Sequence, residues 1–225
     1  MNTLHPAPVP VAAPSGHTFA FAYAIFSIVF LITMIATTAI TYILPESYAS
    51  TARIKVELPA TVDGFSALRS EVEIIQSQVV LEKVIRALNL NVLWGKKYFN
   101  GENLKTGESL TILKSRLIVS PVANTPLLSI SAYSDERREA AQVANAVAQA
   151  YQTYALERQA KTQMETTNAS VLLTAPVLIV DQAEPALRPC KPNKPLNLAL
   201  GAGVGLVLGG LAAAFVGFLK SHFSR

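Results

Sequence analysis

Side chains that could support catalysis or bind a metal ion are few in this sequence and poorly placed for either. The histidines are His5, His17 and His222, and Cys190 is the single cysteine. No histidine falls between residues 46 and 184, where every acidic residue lies, so that segment cannot form a Ser-His-Asp, Cys-His or histidine–metal site. One cysteine also excludes an internal disulfide and a thiolate metal cage. We expect a protein without catalytic residues, cofactor or bound metal.

Neighbouring carboxylates are the remaining candidates for acid–base chemistry. Glu71 and Glu73 are two residues apart in a predicted helix, so their side chains diverge, and Asp135 and Glu136 lie in the first turn of another. A solvated helix face explains both pairs better than a catalytic role does. The sequence has neither GxxxxGK[ST] nor GxGxxG after a strand, and therefore no phosphate-binding loop. We predict that the protein is not an enzyme.

Two long uncharged segments decide the class of the protein. Residues 18–44 and 196–219 contain no charged side chain. As helices, both are long enough to cross a hydrocarbon core of about 30 Å. The first is too long for the apolar part of a signal peptide, and no Lys or Arg precedes it. We predict an α+β membrane protein with two transmembrane helices in a lipid bilayer, a disordered tail over 1–17 and a short tail over 220–225.

The charge balance argues against nucleic acid as a partner. The formal net charge is +4, and 17 of the 19 basic residues lie between the two apolar segments together with all 15 acidic ones. That part of the chain is nearly neutral and has no basic stripe, so we expect no nucleic-acid binding. Charge does not decide the orientation in the membrane, because long domains cross largely regardless of it.

Residues 45–184 are predicted to form an α/β sandwich in which one small sheet is backed by two helices, in the order β-α-β-β-α-β. Alternation in TARIKVEL predicts a strand over 51–58. Apolar residues spaced three and four apart predict an amphipathic helix over 65–90, with Val79 on its apolar stripe and a break near Ser77. The polar, glycine-containing segment 94–108 is predicted to be a loop or short turn.

The second half of this segment contains a predicted hairpin, a long helix and a last strand. SRLIVSPVA and LLSISAYS are joined by a short connection, and the prolines of this hairpin favour edge strands. Residues 134–165 are predicted to form a helix capped by Ser134 or Asp135. Residues 177–182 are predicted to form the final strand. Trp94 is expected to be a packing or interface anchor.

Glycines of the second apolar segment are spaced for close helix packing. Gly201, Gly205 and Gly209 form a tandem GxxxG on one helix face, where another helix could approach closely. Glycine is also common in membrane helices generally, as the off-face positions Gly203, Gly210 and Gly217 illustrate. The partner helix is either the first span of the same chain or a neighbouring subunit.

A proline-rich connector precedes the second span. We predict that residues 185–195 are extended and semi-rigid because their prolines fix φ, and the prolines concerned are Pro185, Pro189, Pro192 and Pro195. The basic side chains among them are expected at the level of water or lipid headgroups, and these are Arg188, Lys191 and Lys194.

The order of these elements resembles the Wzz-type polysaccharide co-polymerases, the chain-length determinants of bacterial surface polysaccharides. Residues 70–90 resemble the first domain helix of that family, and residues 115–151 resemble its hairpin and following helix. Residues 177–201 resemble the return strand, proline-rich segment and second span. The chain is similar to short members of the family, because only 19 residues separate Glu157 from Val177, where many members carry a long coiled-coil insertion.

The resemblance implies a bacterial inner-membrane protein with cytoplasmic termini and a middle domain that is periplasmic or extracellular. It implies a homo-oligomer that regulates the chain length of O-antigen, capsule or exopolysaccharide without being an enzyme, with a role in export as a further candidate. The implied partners are a polysaccharide polymerase or synthase and the nascent polysaccharide. The six residues 220–225 cannot form a kinase domain, so a separate tyrosine kinase is a further candidate partner.

Two alternatives stay open at this level. One is a two-span membrane sensor or adaptor with an extracytoplasmic ligand domain. The other is an activator of a separate tyrosine kinase, which is compatible with a role in chain-length control. Both would need a partner protein to pass on the signal.

Overall fold

The computed structural model describes residues 16–56, 64–165 and 177–223, and the chain divides into two compact units. One unit contains Met1–Leu44 and Pro192–Arg225, and the other contains Pro45–Lys191. The predicted disordered tail lies outside the described residues, except for its last two, which begin the first helix. Along the chain the elements are α1 (Gly16–Ile43), β1 (Tyr48–Lys55), α2 (Gly64–Ile75), α3 (Gln78–Ala87), α4 (Leu90–Tyr98), α5 (Thr106–Ser115), β2 (Leu117–Pro121), β3 (Leu127–Ser134), α6 (Arg137–Glu165), β4 (Leu178–Asp181) and α7 (Lys194–Phe223).

The first unit is a pair of long apolar helices, α1 and α7. Within them, Ala20–Ile43 has a mean hydropathy of 2.2 and Lys194–Leu219 has 2.1, and each is long enough to cross a membrane. Most of their apolar side chains are exposed to the surroundings of the protein. Since exposed apolar surface of this extent is costly in water, the two helices fit a membrane protein.

The second unit contains a four-stranded sheet in the order β2-β3-β1-β4, in which every neighbouring pair is antiparallel. Alternation along β1 is confirmed, since Ala52 and Ile54 are fully buried while Arg53 between them is exposed. The long helix α6 packs on β1 and β3 through an apolar stripe that includes Val147 and Tyr151, both fully buried. The core of this unit therefore lies between α6 and one face of the sheet.

The predicted amphipathic helix over 65–90 is divided into α2 and α3, and the predicted break near Ser77 is confirmed. One detail of its apolar stripe is wrong. Val79 is 57% exposed, whereas its neighbour Val80 is fully buried. The interruption at Ser77 restarts the helical register, so the apolar face of α3 begins one residue later than a continuous helix would place it.

The prediction of a loop over residues 94–108 is wrong for residues 94–98, which lie in α4, and for residues 106–108, which lie in α5, whereas residues 99–105 between them are not helical. The described residues place four helices, not one, between β1 and β2. Leu90 and Trp94 are spaced by one helical turn and are both buried, at 1% exposure. The side chain of Glu108 accepts a hydrogen bond from the Lys105 backbone at 2.8 Å, which caps the start of α5. The unit consequently has five described helices, α2 to α6, in place of the two predicted.

The predicted hairpin and final strand are confirmed as β2, β3 and β4. Pro121 ends β2, which is an edge strand of the sheet, as a residue without a backbone donor requires. Ahead of α6, the backbone N–H of Glu136 donates to the Ser134 hydroxyl at 3.2 Å, which forms a side-chain turn that leads into the helix.

Candidate functional site

The glycine face of α7 lies directly against α1 of the same chain. Gly201, Gly205 and Gly209 are the buried residues in the middle of α7. A Cβ atom at Gly201 would lie 2.5 Å from Cγ2 of Thr37, and one at Gly205 would lie 3.0 Å from a ring carbon of Phe30. The sequence left two candidates for the helix that packs on these glycines, the first span of the same chain and a neighbouring subunit. In the described structure the first of these, α1, packs on them.

Position 209 makes the same kind of contact further along the pair. A Cβ atom at Gly209 would lie 2.9 Å from the Phe26 ring and 3.1 Å from the Phe26 backbone oxygen. The rings of Phe26 and Phe30 are parallel, with centroids 6.2 Å apart. Because the glycines have no side chains, these rings pack directly against the backbone of α7. The two helices can therefore lie close together.

Threonines on α1 complete this contact surface without exposing polar atoms. Thr33, Thr37 and Thr41 each donate a hydroxyl hydrogen bond to the backbone oxygen four residues earlier, at 2.9, 2.8 and 2.7 Å. Their hydroxyls are thereby satisfied inside the helix, as an apolar environment requires. The contact surface of the pair can therefore lie in a bilayer.

The other glycines of α7 do not pack against another helix in the described structure. Among the described residues, nothing lies within 4 Å of a Cβ atom built at Gly203, Gly210 or Gly217. They provide a natural comparison for the packed glycines, because the chemical change made by substitution is the same and the surroundings are different.

Most of the proline-rich connector has no regular secondary structure, but its last proline does not fit the predicted boundary. Pro185 and Pro189 lie in the segment between β4 and α7, and Pro192 lies just before the helix. Pro195, expected in the connector, is in the first turn of α7. A proline is tolerated there because the first backbone N–H groups of a helix have no intrahelical partner.

Backbone hydrogen bonds tie the end of this connector to the segment ahead of β1. The N–H of Ser47 donates to the Lys191 oxygen at 3.0 Å, and the N–H of Cys190 donates to the Ser47 oxygen at 2.8 Å. The Cys190 thiol lies 3.1 Å from the same oxygen. We call this arrangement the Ser47–Lys191 clamp. It lies in the second unit, Pro45–Lys191, which we call the mixed unit, and fixes the point where the chain enters that unit beside the point where it leaves.

A buried ion network forms around Glu139 in the first turn of α6. Glu139 is 6% exposed and accepts hydrogen bonds from the Trp94 indole N–H at 2.6 Å, the Lys97 ammonium at 2.8 Å and the Ser134 hydroxyl at 2.8 Å. Burial alone would raise the pKa of Glu139, but the hydrogen bonds from Lys97, Trp94 and Ser134 outweigh it and lower that pKa. The carboxylate is therefore charged and joins α4 to α6 and β3.

Asp135 and Glu136, considered above as an acid–base pair, belong to this network. Lys97 lies 2.8 Å from each of their carboxylates, and Tyr98 donates its hydroxyl to Asp135 at 2.8 Å. Burial opposes ionisation of Asp135, yet the hydrogen bonds from Lys97 and Tyr98 lower its pKa to about 2. Burial likewise opposes the charge on Lys97, and its carboxylate partners raise its pKa well above the ordinary value. Because these groups stay charged, they stabilise the contacts of α6 with its neighbours and are poorly suited to proton transfer.

Glu71 and Glu73, the second carboxylate pair, have different surroundings. The Tyr151 hydroxyl donates to Glu71 at 2.6 Å, and Arg158 lies 3.3 Å from the same carboxylate, while Glu73 is exposed. Burial and the hydrogen bond to Glu71 raise the pKa of Tyr151. Glu71 thus fixes α2 against the middle of α6. In the described residues, no cluster of three or more His, Cys, Asp or Glu side chains could hold a metal ion.

An open groove of about 510 Å³ runs beside the Glu139 network, along α4 and the turn that precedes it. Its apolar lining comes from Leu88, Val92 and Leu93, and Lys97 and Glu136 lie at its polar side. The groove is broad and open to solvent, so it does not enclose a small molecule as most ligand pockets do.

A comparison with known families now bears on the function. Residues 22–88 match the family model of Wzz, described as chain length determinant protein. The match to Wzz runs from α1 through β1 and α2 to the end of α3, and it confirms over this stretch the resemblance seen in the sequence. No match was found among curated proteins.

The Glu139 network was not anticipated from the sequence, although one signal was present. Glu139 lies four residues before the buried Val143 and is therefore a charged residue in register with the apolar stripe of α6. A carboxylate at such a position requires buried donors. Trp94 and Lys97 are these donors, and the prediction of a loop over their segment gives no reason to expect them there.

Proposed function

We propose that this protein is a non-enzymatic polysaccharide co-polymerase, which regulates the chain length of a bacterial surface polysaccharide. The observation that carries the proposal is the match of residues 22–88 to the Wzz chain length determinant family. Proteins of that family act in polysaccharide biosynthesis without making or breaking glycosidic bonds themselves. Binding and organising, rather than catalysis, is the role proposed here.

The proposed topology has α1 and α7 crossing the inner membrane and residues 45–184 in the periplasm. The lengths and hydropathies of Ala20–Ile43 and Lys194–Leu219 support two spans. An even number of spans returns the chain to the starting side, so both termini would be cytoplasmic. The contact of the α7 glycines with Phe26, Phe30 and Thr37 supports a paired arrangement of the spans within each subunit.

The proposed partners are further copies of this chain, a polysaccharide polymerase or synthase, and the nascent polysaccharide. Because Gly201, Gly205 and Gly209 are occupied by α1 of the same chain, their role in this proposal is to pair the two spans of one subunit. Contacts between subunits would then use other surfaces. O-antigen, capsule and exopolysaccharide are all candidate products, and a separate tyrosine kinase is a candidate regulator.

The test is the length distribution of surface polysaccharide with and without the gene, resolved on a gel. We expect deletion to abolish or shift the modal length while repeat units are still made, and the wild-type gene to restore it. An unchanged distribution of every surface polysaccharide would contradict the proposal and favour the two-span sensor. Loss of all polymer would indicate a role in synthesis rather than length control, and would also contradict it.

A further inference from the structure

Leu187 is the most exposed large apolar side chain among the described residues, at 90%. It belongs to residues 184–189, which follow β4 and which we call the Leu187 loop. The loop is held at both of its ends. On one side, the amide of Asn145 in α6 donates to the Ala183 oxygen at 2.9 Å and accepts from the Ala183 N–H at 2.7 Å. On the other side, the loop meets the Ser47–Lys191 clamp. The leucine is therefore presented to solvent from a restricted position.

The groove beside the Glu139 network, which we call the α4 groove, offers a surface of matching chemistry. Its apolar lining is formed by Leu88, Val92 and Leu93, and the last two are 38% and 42% exposed. Because the groove is open, a side chain that projects from another molecule can reach this lining. An exposed leucine and an exposed apolar groove are both stabilised when they leave water together.

Charges on the Leu187 loop complement charges on the α4 groove. Glu184 lies three residues before Leu187, Arg188 directly follows it, and both charged residues are exposed. The groove contains the exposed Lys96 and also Glu136, whose side chain is 65% exposed. A loop seated with its leucine on the apolar lining would place Glu184 near Lys96 and Arg188 near Glu136. Opposite charges facing each other in this way fix the orientation of a contact.

The loop and the groove belong to opposite edges of the sheet. The loop follows β4, the edge strand on one side. On the other side, Arg116, the residue before β2, donates to the hydroxyl of Tyr98 in α4 at 3.2 Å. Three strand spacings, roughly 14 Å, separate β2 from β4. A contact between the loop of one copy and the groove of the next would therefore join two different surfaces, and such a contact can repeat around a ring.

We propose that the Leu187 loop of one copy docks in the α4 groove of a second copy of this chain. The inference deepens the proposed function, because it rests on the proposed homo-oligomer and names the surfaces through which copies meet. Both surfaces belong to the mixed unit. Leu187 covers the apolar lining of the neighbour, and the flanking charges set its direction. Because the loop is already restricted at both ends, little conformational entropy is lost when it docks.

The first experiment cross-links the full chain in native membranes. Two differently tagged variants are co-expressed, both with Cys190→Ser, one with Leu187→Cys and the other with Val92→Cys. Each chain then has one cysteine, so a short bifunctional maleimide can join two tags only by joining two copies. We expect a mixed-tag dimer. Val79→Cys is the matched control for Val92→Cys, because Val79 is a valine of α3, 57% exposed, that does not line the groove.

Three outcomes of the cross-linking would overturn the inference. The first is the absence of a mixed-tag dimer with Val92→Cys. The second is an equal yield with Val79→Cys, since the contact would then not be specific to the groove. The third is a product that joins Val92→Cys to a different protein, which would make that protein the occupant of the groove.

The second experiment measures the mass distribution of the full chain in neutral detergent by native mass spectrometry over a dilution series. Leu187→Ala should weaken each contact about tenfold to a hundredfold, which corresponds to the roughly 1.5–3 kcal/mol gained by burying a leucine side chain. The folded subunit should be unaffected, because Leu187 is 90% exposed within it. Leu156→Ala is the matched control, since it removes a leucine of α6 that is 54% exposed and lies outside both surfaces.

Charge reversal separates a direct contact from an indirect effect on the fold. Lys96→Glu and Glu184→Lys should each weaken the contact about two- to fivefold, and the double variant should regain it because the reversed pair attracts again. No regain, or an unchanged mass distribution in Leu187→Ala, would overturn the inference while leaving a homo-oligomer formed through other surfaces. A chain that is monomeric at every concentration would overturn the proposed homo-oligomer as well. Neither experiment measures polysaccharide length, so the inference and the role in chain-length control can fail separately.

Discussion

The contact between α1 and α7 makes a quantitative prediction, because the packed and open glycines of α7 can be compared within one helix. In Gly201→Ala, the new Cβ would lie 2.5 Å from Cγ2 and 2.8 Å from Cβ of Thr37, whereas ordinary contacts begin near 3.4 Å. The helices must separate by roughly 1 Å or Thr37 must rotate. Rotation would break the hydrogen bond of its hydroxyl to the Thr33 oxygen at 2.8 Å.

Overpacking of this kind costs about 1–3 kcal/mol. In Gly203→Ala the added methyl group meets nothing within 4 Å among the described residues, and the substitution gains helix propensity of up to about 1 kcal/mol. We therefore expect Gly201→Ala to be less stable than Gly203→Ala by about 1–4 kcal/mol, although the two variants differ only in where one methyl group is added.

The assay is reversible unfolding of the purified chain in mixed micelles. An increasing fraction of dodecyl sulfate drives the unfolding, and energy transfer between one dye on α1 and one on α7 follows it. Ile32 and Leu206 suit labelling because they are 60% and 55% exposed, and Cys190 is first replaced by serine. The loss of energy transfer between the dyes reports separation of the helices. Equal midpoints for Gly201→Ala and Gly203→Ala would refute the reasoning, because the glycine face would then contribute nothing specific to the pair.

Three further predictions concern the mixed unit. Glu139→Ala should lower the free energy of unfolding in urea by about 3–5 kcal/mol, because it leaves buried donors without an acceptor. Glu136→Ala removes an exposed partner of the same lysine and should lower it by less than about 1 kcal/mol. Similar losses in the two variants would contradict the proposed network. The pKa of Asp135 is lowered from 3.8 to about 2, so its stabilisation is complete above pH 4 and is lost as the pH falls from about 4 to 2. Between pH 4 and 2, the free energy of unfolding should therefore fall less steeply with decreasing pH in Asp135→Asn than in the unsubstituted protein. An unchanged slope would count against the lowered pKa of Asp135. Tyr151→Phe should cost about 1–3 kcal/mol in urea unfolding because the Glu71 carboxylate loses a donor at 2.6 Å, and a neutral result would show that water replaces the hydroxyl.

Sequence patterns predicted the elements that have a regular period and missed those that depend on contacts far along the chain. The strand at β1, the hairpin and α6 each follow a simple alternation or helical stripe. Segment 94–108 is a loop only over residues 99–105, and its glycines do not reveal where the helices on either side end. Gly95 lies inside α4, where the Glu102 backbone leaves no room for a Cβ atom, while Gly101 has φ +93° and does form a turn. Nothing local distinguishes these two roles.

The candidate site shows the same division. The spacing of Gly201, Gly205 and Gly209 predicted a packing face, but only the three-dimensional structure identifies Phe26, Phe30 and Thr37 as the groups against it. The strand order β2-β3-β1-β4 and the pairing of Ser47 with Lys191 join residues far apart in sequence. Such pairings depend on which arrangement buries the most apolar surface, and a single sequence does not display that choice.

The Ser47–Lys191 clamp also has a consequence for how the mixed unit can change in length. β1 runs away from the clamp, and β4 returns antiparallel to it, beginning opposite Lys55. Residues inserted between α6 and β4 would join the described structure at Glu165 and Leu178, and the clamp would be unchanged. The two ends of the unit would therefore keep their spacing while the unit grew in length.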